Sequence, residues 1–281
     1  MWIWMSVLSA CLLGFHEVAK KQSLKKNGVL EVIAVYSAIT AVFLLPFISL
    51  GTFPDHLRLI VKASIVSTSW ISGLAAMKRI PLPTVSTMKA TRPVFVVVFS
   101  IILFGERLNL GQWAGVIVVI GSLFLLARVG RSEGVVFTKD KGILYMVISI
   151  LTGAGSALWD KHIMQTMEPL FVQSWTNIYI TVILSVIILI RRLAGQAERK
   201  PFQWDWNILL IAVFITAADA LYFFALHEEG SMISVVSLLR RASVIVAFIA
   251  GAVLYKENKV KSKAAILLSM MVGICLLALS S

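Results

Sequence analysis

The chain has 281 residues, of which 59% are hydrophobic and only 14% are charged, and its mean hydropathy is +0.90. A soluble domain carries roughly a quarter charged residues, so a single water-soluble core is excluded and lipid is the expected solvent. The net charge of +12 does not indicate a nucleic-acid partner, because the basic residues stand in short clusters between apolar runs, as in membrane proteins.

Ten apolar runs follow one another along the chain, each long enough to cross a hydrocarbon layer of about 30 Å. They cover residues 2–19, 31–50, 59–77, 83–104, 110–128, 142–162, 170–190, 206–226, 232–254 and 263–279. Short connections with Pro and Gly separate them, and the first run is expected to stay in the protein because no basic segment precedes it. The predicted fold class is an all-α polytopic membrane protein of about ten transmembrane helices.

The second half of the chain repeats the first. Residues 78–128 align without a gap with the stretch 151 positions later. Apolar matches are common in such segments, but two polar coincidences are informative. Lys89 falls on Arg240, and Glu106 falls on Glu257 at the end of the same helix. The pattern predicts two homologous halves, which is a frequent plan among secondary transporters.

A shift of 143 positions also places Glu17 on Asp160, near the ends of helices one and six. The predicted organisation is a five-helix repeat over 1–129, a linker over 130–141 and a second five-helix repeat over 142–281. Because each half has an odd number of helices, the two repeats are inverted relative to each other. The binding site is then expected between them, near the middle of the membrane.

Lys and Arg residues are unevenly divided between the two sets of loops. The loops after odd-numbered helices hold 18 of them, whereas the loops after even-numbered helices hold four, namely Arg58, Lys62, Arg107 and Lys161. The positive-inside rule places the first set in the cytoplasm and both termini outside it. The predicted location is the bacterial cytoplasmic (inner) membrane, with the lipid bilayer as a partner.

Four basic residues remain inside apolar runs, with Lys89 and Arg92 in helix four and Arg240 and Arg241 in helix nine. Each costs about 2.5–3.5 kcal/mol at a helix centre, so such residues face a partner or a water-filled cavity. Arg offers a bidentate contact to phosphate or carboxylate, and Lys offers a point charge. These residues predict a binding site for an anionic substrate.

Three acidic residues offer the alternative that the bases are neutralised internally, which would leave one positive charge over. Asp219 lies near the middle of helix eight and is either a proton-coupling group or the counter-ion of an arginine in helix nine. Tyr222 lies three residues on, on the same face, and is a further candidate for substrate binding. Glu17 and Asp160 lie near helix ends, where local ion pairing with neighbours such as Lys161 is expected.

Two segments carry a resemblance to a known family. Pro83 to Leu126 contains an apolar helix, Gly-Glu-Arg-Leu, a short turn, a Gln-Trp-x-Gly helix start and another apolar helix, and Ser231 to Leu277 is its partner. This pattern resembles the ten-helix EamA-type branch of the drug/metabolite transporter superfamily. The resemblance implies a membrane transporter built from two repeats.

A narrower resemblance concerns the basic residues. Met88 to Phe95 is similar to the helix-four segment of plastid triose-phosphate translocators, and Leu239 to Val246 is similar to their helix-nine pair of basic residues. By that resemblance Lys89, Arg240 and Arg241 would bind the phosphate of a substrate.

The function predicted from the sequence is therefore secondary transport of a small, phosphorylated or carboxylate metabolite by alternating access, coupled to a proton or a counter-substrate. An amino-acid or drug exporter of the same superfamily is the alternative within transport. The alternative from another class is an intramembrane lipid-modifying enzyme, which the spacing of polar residues does not favour. No cofactor, metal or catalytic residue is predicted.

Overall fold

The computed structural model describes residues 1–23, 26–77, 79, 88–89, 91–129, 141–195, 202–243, 245–246 and 260–280. Within these residues the chain forms ten α-helices and no strand. Glu257 and all of the predicted linker 130–141 except Lys141 lie outside the described residues.

The helices are numbered α1 to α10 in chain order. They are α1 (Trp2–Ser23), α2 (Val29–Leu44), α3 (Phe53–Met77), α4 (Arg92–Phe104), α5 (Leu110–Val129), α6 (Lys141–Ile163), α7 (Pro169–Leu193), α8 (Trp206–His227), α9 (Ile233–Leu239) and α10 (Val260–Leu279). Short 3-10 turns follow α2 at Leu45–Phe47 and α9 at Arg240–Ala242.

The ends of the helices follow the local chemistry of the sequence. Pro169 opens α7, where the N–H that it lacks would have no partner within the helix. Asp205 precedes α8, and its carboxylate accepts a hydrogen bond from the N–H of Asn207 at 3.1 Å. α4 ends at Gly105, whose φ of +63° is the left-handed conformation that favours glycine.

The predicted start of the third helix, at residue 59, is wrong. α3 begins at Phe53, where the Asp55 carboxylate accepts hydrogen bonds from the N–H and the hydroxyl of Thr52, at 3.2 and 2.6 Å. Both hydrogen bonds run from Thr52 to Asp55, and with the acidic group in the first turn they stabilise a helix start six residues earlier than hydropathy alone indicates. Arg58 and Lys62, which were counted with the loops, therefore belong to α3.

Five helices of the described part are long and apolar enough to cross a membrane. These spans are Trp2–Lys20, Leu30–Phe47, Lys141–Ile163, Pro169–Leu193 and Trp206–His227. The apolar parts of α4, α5 and α10 are shorter as described, at 10–17 residues. Large apolar side chains such as Ile102, Val182 and Leu268 are exposed on the outside of the bundle, as lipid contact requires.

The packing of the helices repeats after a shift of five. α1 packs most extensively on α8, and its counterpart α6 packs most extensively on α3. α2 packs on α7 and α8, whereas α7 packs on α2 and α3. α4 packs on its own counterpart α9, and α5 packs on its own counterpart α10. This pattern is that of two inverted five-helix repeats around a pseudo-twofold axis, and the predicted fold class is confirmed.

Small residues bring the paired helices close together. Gly273 on α10 faces α5, where a Cβ atom added to it would lie 3.0 Å from the backbone nitrogen of Val119. The hydroxyls of Ser122 and Ser269 lie 2.7 Å apart across the same interface. Close backbone approach and interhelical hydrogen bonds of this kind stabilise helix pairs in lipid, where no hydrophobic force drives them together.

Candidate functional site

The basic residues of the fourth and ninth helices lie where regular α-helical hydrogen bonding is interrupted. α9 has only seven residues before the chain tightens into the 3-10 turn that holds Arg240 and Arg241. In the fourth helix, Thr91 forms a turn between Lys89 and Arg92, and its N–H bonds to the carbonyl three residues earlier at 3.0 Å. The two interruptions are equivalent positions of the two repeats. Transporters typically bind substrates at such interruptions.

Arg240 makes two well-defined contacts with α8. Its Nη2 atom lies 2.8 Å from the Asp219 Oδ1 atom, in an ion pair whose side chains are 14% and 30% exposed. Its guanidinium carbon lies 4.0 Å from the centroid of the Tyr222 ring, a cation–π distance. Asp219 thus holds the geometry of a counter-ion to an arginine of the ninth helix.

The Tyr222 hydroxyl extends the same network towards α6 and α3. It donates a hydrogen bond to the Asp160 Oδ2 atom at 3.2 Å. The Asp160 Oδ1 atom lies 2.9 Å from the Lys62 Nζ atom, and both side chains are almost fully buried. The Lys62 ammonium also lies 3.9 Å from the centroid of the Phe223 ring.

Local pairing of Asp160 with its neighbour Lys161 was predicted, and the structure corrects this. Lys161 points instead to the loop before α9, where it donates hydrogen bonds to the carbonyl and the hydroxyl of Ser231. Adjacent residues of a helix point about 100° apart, so Asp160 faces α3 while Lys161 faces another neighbour. Lys62, which was assigned to a loop, is the actual ionic partner of Asp160.

Arg92 reaches across the repeats to the backbone of α6. Its Nη2 atom donates a short hydrogen bond to the carbonyl of Gly153. A Cβ atom at Gly153 would clash with the guanidinium group, so the absence of a side chain there lets Arg92 approach.

Glu17 and Lys89 lie at the side of the network that faces solvent-accessible space. The Glu17 side chain is 55% exposed, and its Oε1 atom lies 3.5 Å from the Nδ1 atom of His16. Lys89 is exposed as well. The charges of Lys20 and Lys89 both act on the Glu17 carboxylate, so this carboxylate interacts electrostatically with more than one base.

Positive charge exceeds negative charge in this region of the described structure. Lys62 is neutralised by Asp160 in one ion pair, and Arg240 is neutralised by Asp219 in another. The remaining bases are Lys89, Arg92 and Arg241, and the remaining carboxylate is Glu17. Arg241 experiences the charges of Arg92, Arg240 and Glu17, and within the described residues its buried Nε atom has no hydrogen-bond partner.

Glu106 contacts the other repeat as well. Its Oε1 atom accepts a hydrogen bond from the N–H of Ile233 at 2.6 Å, and its Oε2 atom accepts one from the N–H of Ser234 at 3.2 Å. The carboxylate therefore caps the start of α9, where the first N–H groups of a helix have no partner inside the helix.

Comparison with known proteins adds the family. The sequence pattern of the EamA-like transporter family matches residues 1–128 and 140–279. The chain belongs to the EamA-like transporter family. A solved structure described only as the crystal structure of a protein superposes with a TM-score of 0.80 at 14% identity, covering 100% of this chain and 99% of that one. No curated protein matches the chain.

Membership of the EamA-like family makes this protein a multi-pass membrane protein of a transporter family and supports a small-molecule substrate. The likeness in structure shows the fold alone, and the narrower resemblance to triose-phosphate translocators stays a prediction. Within the described residues of this EamA-like protein, no group of three or more His, Cys, Asp and Glu residues is placed to hold a metal ion.

The sequence reasoning missed Lys62 and Gly153 as parts of this network. A signal for Lys62 was present, since it lies inside the apolar run 59–77, and a base within a span needs a partner. No signal in the sequence alone could have shown that Gly153 admits an arginine from another helix.

Proposed function

We propose that this protein is a secondary transporter that moves a small anionic metabolite, phosphorylated or carboxylate, across the bacterial cytoplasmic membrane by alternating access. The substrate site would comprise Lys89, Arg92, Arg240, Arg241 and Tyr222. The observation that carries the proposal is the excess of bases over acids among the described residues where the two repeats meet. Lys89, Arg92 and Arg241 lie outside the two ion pairs, and the remaining carboxylate there is that of Glu17.

Unused hydrogen-bond donors support an anionic ligand. Only one terminal nitrogen of Arg240 is engaged with Asp219, and the buried Nε atoms of Arg240 and Arg241 have no partner in the described structure. A buried donor that is left unpaired costs about 1–3 kcal/mol. An anion with several oxygen atoms would satisfy these donors and offset the surplus charge at the same time.

A zwitterionic amino acid is the second candidate, as expected for an exporter of the same superfamily. Two carboxylates of the site retain exposure, at 30% for Asp219 and 55% for Glu17. An ammonium group could approach either of them while the substrate carboxylate binds the arginines. A lipophilic cationic drug finds no comparable surplus of negative charge.

A thermal-shift panel with purified protein tests the proposal. Phosphorylated metabolites, dicarboxylates, amino acids and lipophilic cations are compared at equal concentration. A ligand that binds the native state stabilises it by about 2.7 kcal/mol at 100 times its dissociation constant. Stabilisation by anions, with no effect of cations, is the expected result.

Variants connect the ligand to the site. Arg241→Lys should weaken the stabilisation by an anion, because Lys cannot reproduce the bidentate contact of Arg, and Lys89→Ala and Arg240→Ala should weaken it further. Arg107→Ala removes an exposed base and is the matched control, expected to behave like wild type. Undiminished stabilisation in the three site variants, or a cation as the only ligand, would contradict the proposal.

A further inference from the structure

Two charged contacts between the repeats lie at the same end of the bundle. Lys62 of α3 pairs with Asp160 of α6, and Glu106, which follows α4, caps the start of α9. This end carries the loops after the even-numbered helices, which the distribution of basic residues predicts to be the outer side. The ion pair is buried, with Lys62 2% and Asp160 9% exposed, so it closes this end between α3 and α6.

We propose that Asp160 is a proton-binding site of the carrier, and that uptake of a proton by Asp160 releases Lys62 and lets α3 separate from α6 at this end. The proposal rests on the proposed function in one respect, since it assumes a carrier that opens alternately at its two ends. It adds the proton as a ligand, names the residue that binds it, and makes Lys62 the residue that positions it.

The step balances in charge and protons. A proton from solution binds the Asp160 Oδ1 atom, the carboxylate becomes a neutral carboxylic acid, and Lys62 remains an ammonium ion. Until α3 moves, the Lys62 cation lies 3.9 Å from the centroid of the Phe223 ring, which attracts a cation whether or not the Asp160 carboxylate is charged. The Asp160 Oδ2 atom keeps the hydrogen bond of Tyr222.

The surroundings explain why separation requires the proton. Besides Lys62, the group that donates a hydrogen bond to Asp160 in the described structure is the Tyr222 hydroxyl, and Asp160 is only 6% exposed. Withdrawal of Lys62 would leave a charged carboxylate among apolar groups, which is strongly unfavourable. A neutral acid in the same place retains one hydrogen bond and loses most of that penalty.

The helices α3, α4, α8 and α9 pack on α6, and three of them bring charged or titratable groups near Asp160. α3 contributes the Lys62 ammonium and α4 contributes the Arg92 guanidinium. α8 contributes the Tyr222 hydroxyl and the Asp219 carboxylate. α9 contributes no titratable side chain within its seven residues. On α6 itself, the adjacent Lys161 is bonded to Ser231. Lys62 is thus the base in contact with Asp160.

The network also gives the proton a link to the substrate site. The Tyr222 hydroxyl binds Asp160 while its ring lies against Arg240. An anion bound at Arg240 would add negative charge near Asp160 and so favour its protonated form. Proton and anion should therefore bind together and move in the same direction.

The experiment measures opening at this end with a thiol reagent and needs no substrate. Met164 is fully buried, and its N–H bonds to the Asp160 carbonyl at 3.0 Å. Met164→Cys is introduced together with Cys11→Ser and Cys275→Ser, which remove the two native thiols. Maleimide labelling of the reconstituted protein is followed from pH 5 to pH 8. Each rate is divided by that of E229C, an exposed position, which removes the pH dependence of the thiol itself.

The expected normalised rate rises several-fold from pH 8 to pH 5. Asp160→Asn should give the high rate at every pH, because the amide mimics the protonated acid. Lys62→Met should move the rise to higher pH, because the acid has lost its cation. Glu168→Gln replaces an exposed carboxylate in the turn between α6 and α7, at the same end of the bundle. It is the matched control and should keep the wild-type profile.

A flat wild-type profile, or a wild-type profile in Asp160→Asn, would overturn the proposal. If Asp160→Asn alone does not yield folded protein, the double variant Lys62→Met with Asp160→Asn replaces the ion pair by a neutral pair. A labelling rate that still depends on pH in this double variant would also overturn the proposal. Since the probe is a maleimide, this result is independent of the anion assay. Loss of anion binding with an intact pH profile would contradict the proposed substrate and leave the proton site standing.

Discussion

Asp219→Asn tests the ion pair at the centre of the network. The substitution keeps the shape of the side chain and an oxygen that can accept from Arg240, but it removes the negative charge. A hydrogen bond to a charged group contributes about 1.5–3 kcal/mol and a neutral one about 0.5–1.5 kcal/mol, so the difference is about 1–2 kcal/mol. The 30% exposure of Asp219 favours the lower half of that range, because solvent screens the pair.

The remaining contacts of Arg240 limit the loss further. Its guanidinium stays against the Tyr222 ring at 4.0 Å, a contact that does not depend on Asp219. With about 2–4 °C per kcal/mol for chains of this size, the expected fall in the melting temperature of the detergent-solubilised protein is about 3–5 °C. A fluorescence melting curve of the purified variant measures it.

A double-mutant cycle separates the ion pair from other effects. If the two groups pair, Arg240→Gln and Asp219→Asn together should cost less than the sum of the single variants, with an interaction energy of at least about 0.5 kcal/mol. Glu229→Gln, at an exposed position in the loop before α9, serves as the control and should melt with wild type. Equal melting of Asp219→Asn and wild type would refute the counter-ion assignment. If pH-dependent transport were lost in the same variant, Asp219 would be a coupling group instead.

Three further outcomes are expected. A fusion at the C-terminus should give active alkaline phosphatase and a dark fluorescent protein in cells, since the loops after odd-numbered helices carry the basic residues, and the opposite result would reverse the topology. Gly153→Ala should be less stable than Gly155→Ala by about 1–2 kcal/mol, because both variants gain helix propensity but only the first displaces the Arg92 guanidinium from its hydrogen bond. Equal melting curves of these two variants would contradict that contact. Glu106→Ala should cost about 1–2 kcal/mol by uncapping α9, and a melting curve equal to that of Glu229→Ala would contradict the cap.

The architecture could be predicted from the sequence because lipid imposes simple rules. Apolar runs of fixed length and an internal repeat of five helices are visible in the residues themselves, and they led to the two-repeat fold. Helix boundaries were less accessible. The start of α3 depends on a hydrogen-bonded Thr52–Asp55 pair and not on hydropathy, so Arg58 was assigned to a loop. Lys62 was counted with the loops although the apolar run 59–77 contains it.

The candidate site could also be predicted only in part from the sequence. A charged residue inside an apolar run is visible in the sequence alone. The four basic residues of helices four and nine could be identified for that reason, namely Lys89, Arg92, Arg240 and Arg241. Their partners were not determined by the sequence, because three-dimensional contacts decide them. Asp160 has a basic neighbour in the chain but pairs with a lysine 98 positions away in the sequence.

The packing of the two repeats is symmetric, but the charge that they carry is not. Asp160 falls on Glu17 of the first repeat, whereas the shift of 151 positions places the apolar Val213 of α8 on Lys62. A carrier made of two equivalent halves would present the same affinity to both sides of the membrane. One lysine in one half removes that equivalence, so the half-saturating substrate concentrations measured from the two sides should differ. They should converge when Lys62→Met and Asp160→Asn are combined.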